Sequence, residues 1–202
     1  MDFNIYLIGD KNFFESEKRY LEVLNKCFDG GVRAFQLRQK DVAVREFISL
    51  GEKIKKITDK YKDVKLFVND RIDVALALEA YGVHLNKNSI PIKAVKEKAK
   101  NLKVFYSSHS VCEVITAQDE GADAVTFSPI FKIKNQDFEQ GVGLLKKAVN
   151  LAGIPVFALG GINKRNIGRI RDAGAKYIAV QSGILMEDDI YGTVKFLSEN
   201  LS

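Results

Sequence analysis

Eight short apolar runs, each separated from the next by a stretch of helical period, constrain this chain more than any other feature. The runs are Ile5–Gly9, Ala34–Arg38, Lys65–Asn69, Gly82–Leu85, Val104–Ser107, Ala124–Phe127, Val156–Leu159 and Tyr177–Val180. Between them, patterns such as Phe47, Leu50, Ile54 and Ile57 lay one apolar stripe along a helix. Strands that are apolar almost throughout need cover on both faces, which a parallel sheet flanked by helices provides. The 202 residues hold eight such units and no long linker. The predicted fold is therefore α/β, a single (β/α)8 TIM barrel with residues 1–202 as one domain. Gly31, Gly82, Gly121 and Gly174 precede the second, fourth, sixth and eighth runs, a repeat of about a quarter barrel that agrees with closure. No GxGxxG follows the first strand, so an open dinucleotide-binding sheet is disfavoured.

Composition removes several classes of function. With 46% hydrophobic and 28% charged residues the chain can bury a full core in water. The net charge of +5 comes from 31 basic residues interspersed with 26 acidic ones, as in Glu52-Lys-Ile-Lys-Lys56. That pattern describes solvated helix faces, and the lack of Trp or any aromatic–basic stripe excludes nucleic acid as an expected partner. No run approaches the roughly 18 apolar residues that span a bilayer. The first residues form a strand with no basic leader ahead of it, so a cytoplasmic protein with no membrane partner is expected. Cys27 and Cys112 are isolated and read as free thiols. With only two histidines and no cysteine cluster, a zinc site is not expected.

In a barrel of this kind the chemistry sits at the C-terminal ends of the strands. Gly160 and Gly161 follow the seventh strand, and Ser182 and Gly183 follow the eighth after Gln181. Glycine lets backbone N–H groups approach an anion with no Cβ in the way, so these two turns predict a phosphate cradle. In strand two, alternation points Gln36, Arg38 and Lys40 the same way, and the two cations suit a phosphate or carboxylate. Asn69-Asp70 ends strand three, where a carboxylate can bind Mg²⁺, act as a base, or cap the next helix. Ser107-Ser-His109 ends strand five; an imidazole facing the mouth would shuttle a proton, while a ring hydrogen-bonded in place would only fix the turn. Ser110 and Glu113 form a capping box for the helix that follows. His84 lies within a strand and reads as structural.

At these residues the chain resembles the thiamine phosphate synthase/TenI superfamily. The resemblance spans nearly the whole sequence. It rests on Gln36-Leu-Arg-Gln-Lys40, Val68-Asn-Asp-Arg71, Asp73-Val-Ala-Leu-Ala77, Gly82-Val-His-Leu85, Ser107-Ser-His109, Ser128-Pro-Ile-Phe131, Gly160-Gly-Ile162 and Ser182-Gly-Ile184. It implies one of two activities in thiamine biosynthesis. A synthase joins an aminopyrimidine pyrophosphate to a thiazole phosphate with Mg²⁺. For it the resemblance implies Arg38, Lys40 and Asn69 on the pyrophosphate, Asp70 on the metal, Ser107 near the pyrimidine and the Gly161 and Ser182 loops on the thiazole phosphate. A TenI-type thiazole tautomerase needs no metal, keeps the thiazole phosphate grip, and moves a proton with a histidine matching His109.

Two parts of the synthase pattern are missing. Ser89 stands where a second metal carboxylate is expected, and Lys132-Ile-Lys-Asn-Gln136 replaces a Thr-x-Thr-Lys loop. Each lost donor to a developing anion costs about 3–4 kcal/mol. Lys87, Lys132 or Lys134 could return some charge, and the 132–140 loop could act as a lid. On this reading the tautomerase is the expected activity, with Arg38 and Lys40 on the ring carboxylate. The synthase is the alternative, and a non-catalytic thiazole-phosphate-binding regulator is a third. The exposed barrel helices could carry a homodimer face.

Overall fold

In the computed structural model, which describes residues 1–40, 42–133 and 138–201, eight parallel strands close into a barrel in sequence order, β1 to β8. They are β1 (Ile5–Gly9), β2 (Ala34–Leu37), β3 (Lys65–Asn69), β4 (Gly82–Leu85), β5 (Lys103–Ser108), β6 (Ala124–Phe127), β7 (Val156–Leu159) and β8 (Tyr177–Val180). The helices between and after them are α1 (Glu17–Gly30), α2 (Val44–Thr58), α3 (Ile72–Ala77), α4 (Ile92–Lys98), α5 (Val111–Asp119), α6 (Gly141–Leu151), α7 (Ile167–Asp172), α8 (Ser182–Leu185) and α9 (Ile190–Glu199). β1 pairs with both β2 and β8, which leaves the sheet without an edge. The expected barrel is present, and six of the eight strands have the expected bounds. β2 stops one residue early, at Leu37, and β5 runs from Lys103 to Ser108.

Alternation along the strands divides the core. Outward residues such as Leu7, Leu37, Val68, Val83 and Ile178 pack under the helices in one continuous apolar layer. Phe47, Leu50, Ile54 and Ile57 of α2 are buried in it, as their spacing requires. Inward residues form a second cluster: Tyr6, Ala34, Phe67, Phe105, Ala124, Phe157 and Ala179, with Phe3 beneath them. Rings from Tyr6, Phe67, Phe105 and Phe157 lie 4.5–5.9 Å apart between centroids and fill this half of the barrel. Such pairs each contribute about 0.5–1.5 kcal/mol beyond the area they bury.

The glycine repeat has two physical origins rather than one. Gly31, Gly121 and Gly174 take positive φ just past a helix, where the chain reverses into the next strand. Gly82 instead lies inside β4: a Cβ there would stand 2.4 Å from the Lys103 carbonyl and 2.7 Å from the Phe67 ring. It leaves room for the aromatic layer.

Cys27 is buried, which pushes its thiol up to about 12, and Cys112 is exposed; both are free. Among the described residues no helix is long and apolar enough to cross a membrane.

Candidate active site

Above the aromatic layer the inward positions turn polar, and the barrel opens into a cavity of about 610 Å³ at the C-terminal ends of the strands. Gln36, Arg38, Asn69, His84 and Ser107 line one side; Gly160, Gly161, Gln181, Ser182 and Gly183 line the other. Ile8, Leu159 and Ile162 supply an apolar wall between them, and Phe13 and Ile133 stand at the rim. An apolar chamber with a few converging polar groups is the usual form of a small-molecule site.

The glycine turns lie against each other. A Cβ on Gly183 would fall 2.2 Å from the Ile162 carbonyl oxygen, so only glycine lets the β8 turn pass this close to the β7 turn. Gly160 and Gly161 are equally tight, against Pro129 Cα at 2.8 Å and Phe131 Cβ at 2.9 Å. The Gly161 carbonyl accepts from Asn163 Nδ2 at 3.1 Å and Asn166 Nδ2 at 2.8 Å, which holds the peptide in place. Among the described residues, no protein acceptor takes the N–H of Gly160, Gly161, Ser182 or Gly183. Backbone donors left open in this way are suited to an anion.

Opposite them, Arg38 is half-buried and meets Asp10 only loosely, at 3.6 Å, leaving most of its guanidinium donors for a ligand. Asp70 is exposed and sits at φ 62°, a left-handed conformation uncommon for a residue with a side chain. Its N–H donates to the His84 carbonyl at 2.9 Å, tying the turn to β4. The carboxylate caps nothing: α3 is preceded by Arg71, which binds Asp73 instead. Strain held at a strand end is a pattern found at functional turns, although the Asp70 side chain does not line the cavity.

Three expected residues do not line the cavity: Asp70, Lys40 and His109. Lys40 is exposed beyond the end of β2, because alternation lapses once the strand stops at Leu37. His109 is also exposed; its Nδ1 donates to the Ser128 carbonyl at 2.9 Å, and its N–H donates to Glu113 Oε2 at 2.7 Å. β5 ends at Ser108 and Ser110 caps α5, so the turn carries the ring away from the strand's inward line. Glu113 therefore closes the capping box one residue earlier than expected, on His109 rather than Ser110. Lys87 and Lys132 are exposed and do not line the cavity, and Lys134 lies outside the described residues.

His84 is on the cavity floor. It is buried, with Tyr6 Oη at 3.2 Å from Nδ1 and Ser107 Oγ at 3.0 Å from Nε2. Burial, and then the nearby Arg38 charge, push its pKa down to about 3. The ring is thus neutral in the native protein throughout the physiological range. The unfolded chain protonates near 6.5 and so binds more protons between these values, and stability falls as pH drops from about 6.5 toward 3. In chemical denaturation from pH 7 to pH 4, the stability advantage of the wild type over His84→Gln should shrink steadily. A gap that stays constant over that range would remove the effect.

Tyr6, Thr126 and Gln181 escaped the sequence reading. Tyr6 shares the inward period of β1 with Ile8, a signal that was available. The Gln181 side-chain nitrogen is buried without a partner, which only coordinates reveal.

The sequence profile of the thiamine monophosphate synthase family (TMP-TENI) matches residues 5–184. The chain belongs to that family. It is 41% identical over 177 residues, 87% of this chain and 94% of its relative, to a protein of Aquifex aeolicus named putative thiamine-phosphate synthase 2. It is 35% identical to the thiamine-phosphate synthase of Clostridium novyi, with 98% of both chains covered. A solved structure of thiamine phosphate pyrophosphorylase from Pyrococcus furiosus superimposes with a TM-score of 0.88 at 33% identity, over 98% of this chain and 95% of the other. The first two carry the name of the synthase, the alternative of the two activities that the resemblance implied.

Proposed function

We propose that this member of the family is a thiamine phosphate synthase, a transferase that couples a thiazole phosphate to a hydroxymethylpyrimidine pyrophosphate. One observation carries the reading: Gln36, Arg38, Asn69 and Ser107 share a single cavity with the four unpaired glycine-loop N–H groups, while His109 stays outside it. The names borne by the relatives support it. In the reaction the thiazole nitrogen bonds to the pyrimidine methylene carbon as the bond from that carbon to pyrophosphate oxygen breaks. Gly160, Gly161, Ser182 and Gly183 hold the thiazole phosphate. Gln36 and Ser107 orient the pyrimidine, and Arg38 and Asn69 receive the departing pyrophosphate. The apolar wall of Ile8 and Leu159 excludes water that would otherwise capture the activated carbon.

Mg²⁺, where it takes part, neutralises charge on the pyrophosphate. The donors here fit an ion that arrives with that substrate rather than a protein cage. Among the described residues no three His, Cys, Asp or Glu side chains converge, and the Ser89 hydroxyl is occupied by the Asn86 N–H at 2.9 Å. Asp70, just past the end of β3 but outside the cavity lining, could contribute one carboxylate to such an ion. Mg²⁺ is commonly held by one or two carboxylates with substrate phosphates and water completing its shell.

The absent second carboxylate and the replaced Thr-x-Thr-Lys loop are the features that favour the tautomerase. A side-by-side assay separates the two activities. Coupled product should require both substrates and Mg²⁺, Asp70→Asn should reduce it at least tenfold, and His109→Ala should retain it within about threefold. Aromatisation of the thiazole tautomer without metal, lost in His109→Ala, would replace this reading with the tautomerase. Thiazole phosphate raising the melting temperature with neither turnover would replace it with a binding protein.

A further inference from the structure

The polar floor of the cavity has a defined direction. Tyr6 is fully buried, and Gln36 and His84 nearly so. Gln36 Nε2 lies 3.2 Å from Tyr6 Oη and also contacts His84 Nδ1. An amide NH₂ only donates, so Nδ1 carries no proton: Gln36 donates to Tyr6 Oη, and the single lone pair of Nδ1 faces the Tyr6 hydroxyl and the Gln36 amide. The one proton of the neutral ring is then on Nε2, which faces Ser107 Oγ at 3.0 Å and Thr126 Oγ1 at 3.4 Å. Ser107 consequently accepts from the ring and keeps its own hydrogen, with the cavity on its open side. The opposite tautomer would leave Nε2 as an acceptor and turn that hydrogen inward.

We propose that Tyr6 and Gln36 act through His84 as positioning residues, holding the Ser107 hydroxyl as a hydrogen-bond donor to a heteroaromatic ring nitrogen of the substrate. The substrate half of this statement rests on the coupling reaction proposed above; the tautomer half does not. Among the described residues that contact the ring, nothing else sets the direction, because Thr126 both donates and accepts and adapts to either arrangement. A hydroxyl free to rotate would accept from water as readily as it donates. The relay removes that choice before the ring arrives, so less ordering is left to the binding step.

Two measurements test the two halves separately. The chain has only two histidines, so ¹⁵N imidazole spectra of the whole protein contain two rings, assigned with His109→Gln. His84 should be the neutral Nε2–H tautomer, and His109, facing a carbonyl through Nδ1, should carry its proton on Nδ1. An Nδ1–H ring at His84 overturns the proposal whatever reaction the protein performs. The second measurement is a double-mutant cycle on kcat/KM for the pyrimidine substrate. Tyr6→Phe should lower it by about three- to tenfold, the worth of one hydrogen bond, with thiazole phosphate affinity unchanged. In a Ser107→Ala background the same change should cost less than twofold. Equal losses in both backgrounds would mean that Tyr6 merely packs the floor, and would overturn the relay. Should neither protein nor variant couple the two substrates, the spectra still decide the tautomer while the proposed reaction alone is lost.

Discussion

Gly183→Ala should weaken binding of thiazole phosphate by about a hundredfold or more, in calorimetry, with only a small fall in melting temperature. The added Cβ would stand 2.2 Å from the Ile162 carbonyl oxygen, a backbone atom that cannot swing aside. Relief requires the β7 and β8 turns to separate by an ångström or so. A misplacement of about 1 Å among reacting groups can cost about a hundredfold in rate, and a comparable loss is expected for this grip. The barrel should survive, because the turns lie above the closed sheet and the helical layer does not depend on their spacing. Gly168→Ala is the control: its Cβ would meet only the end of the Arg171 side chain, at 4.0 Å. That variant should bind as the wild type does. A Gly183→Ala protein with unchanged affinity would show that the anion is gripped elsewhere.

Arg38→Met should lower kcat about a hundred- to a thousandfold in the coupling assay, the usual cost of removing one strong donor from a developing anion. Met keeps much of the buried stem and removes only the guanidinium, so packing against the mouth persists. Thiazole phosphate affinity should change less than threefold, since the glycine turns are on the opposite wall. One further consequence is independent of turnover. Arg38 is the second cause, after burial, of the low His84 pKa, so its removal should raise that pKa, read from the same imidazole resonances over pH. Full activity in Arg38→Met would place the pyrophosphate away from β2.

The barrel was legible because every strand is apolar nearly throughout and each is followed by one turn of helical spacing or more. Bounds failed where strand ends are polar: Lys103 and Ser108 lie inside β5 beyond the expected bounds, whereas Arg38 continues the rhythm of β2 past its end at Leu37. The same slip misplaced Lys40: period-two alternation holds only while the backbone stays extended. His109 was misread for a related reason. A histidine at a strand-to-helix turn can face the mouth or the neighbouring loop, and the Ser128 carbonyl that captures it is nineteen positions away in sequence. His84 was legible as structural but not as part of the floor, because its partners Tyr6, Gln36 and Ser107 come from three other strands. The glycine turns were readable since glycine is required there by contact, and contact with backbone leaves no alternative residue type.

The ring-filled lower half of the barrel makes the cavity a blind well. Phe3 and the four aromatic side chains above it stop any through passage, so reactants and products share one entrance. The partner seated on the glycine turns and the one delivered past Arg38 cannot exchange places inside. In the coupling reaction proposed above, departure of the small anionic leaving group past the Arg38 side would have to precede, or at least not obstruct, escape of the larger joined molecule. Inhibition by added pyrophosphate then follows from traffic through a single doorway as much as from affinity for any one side chain.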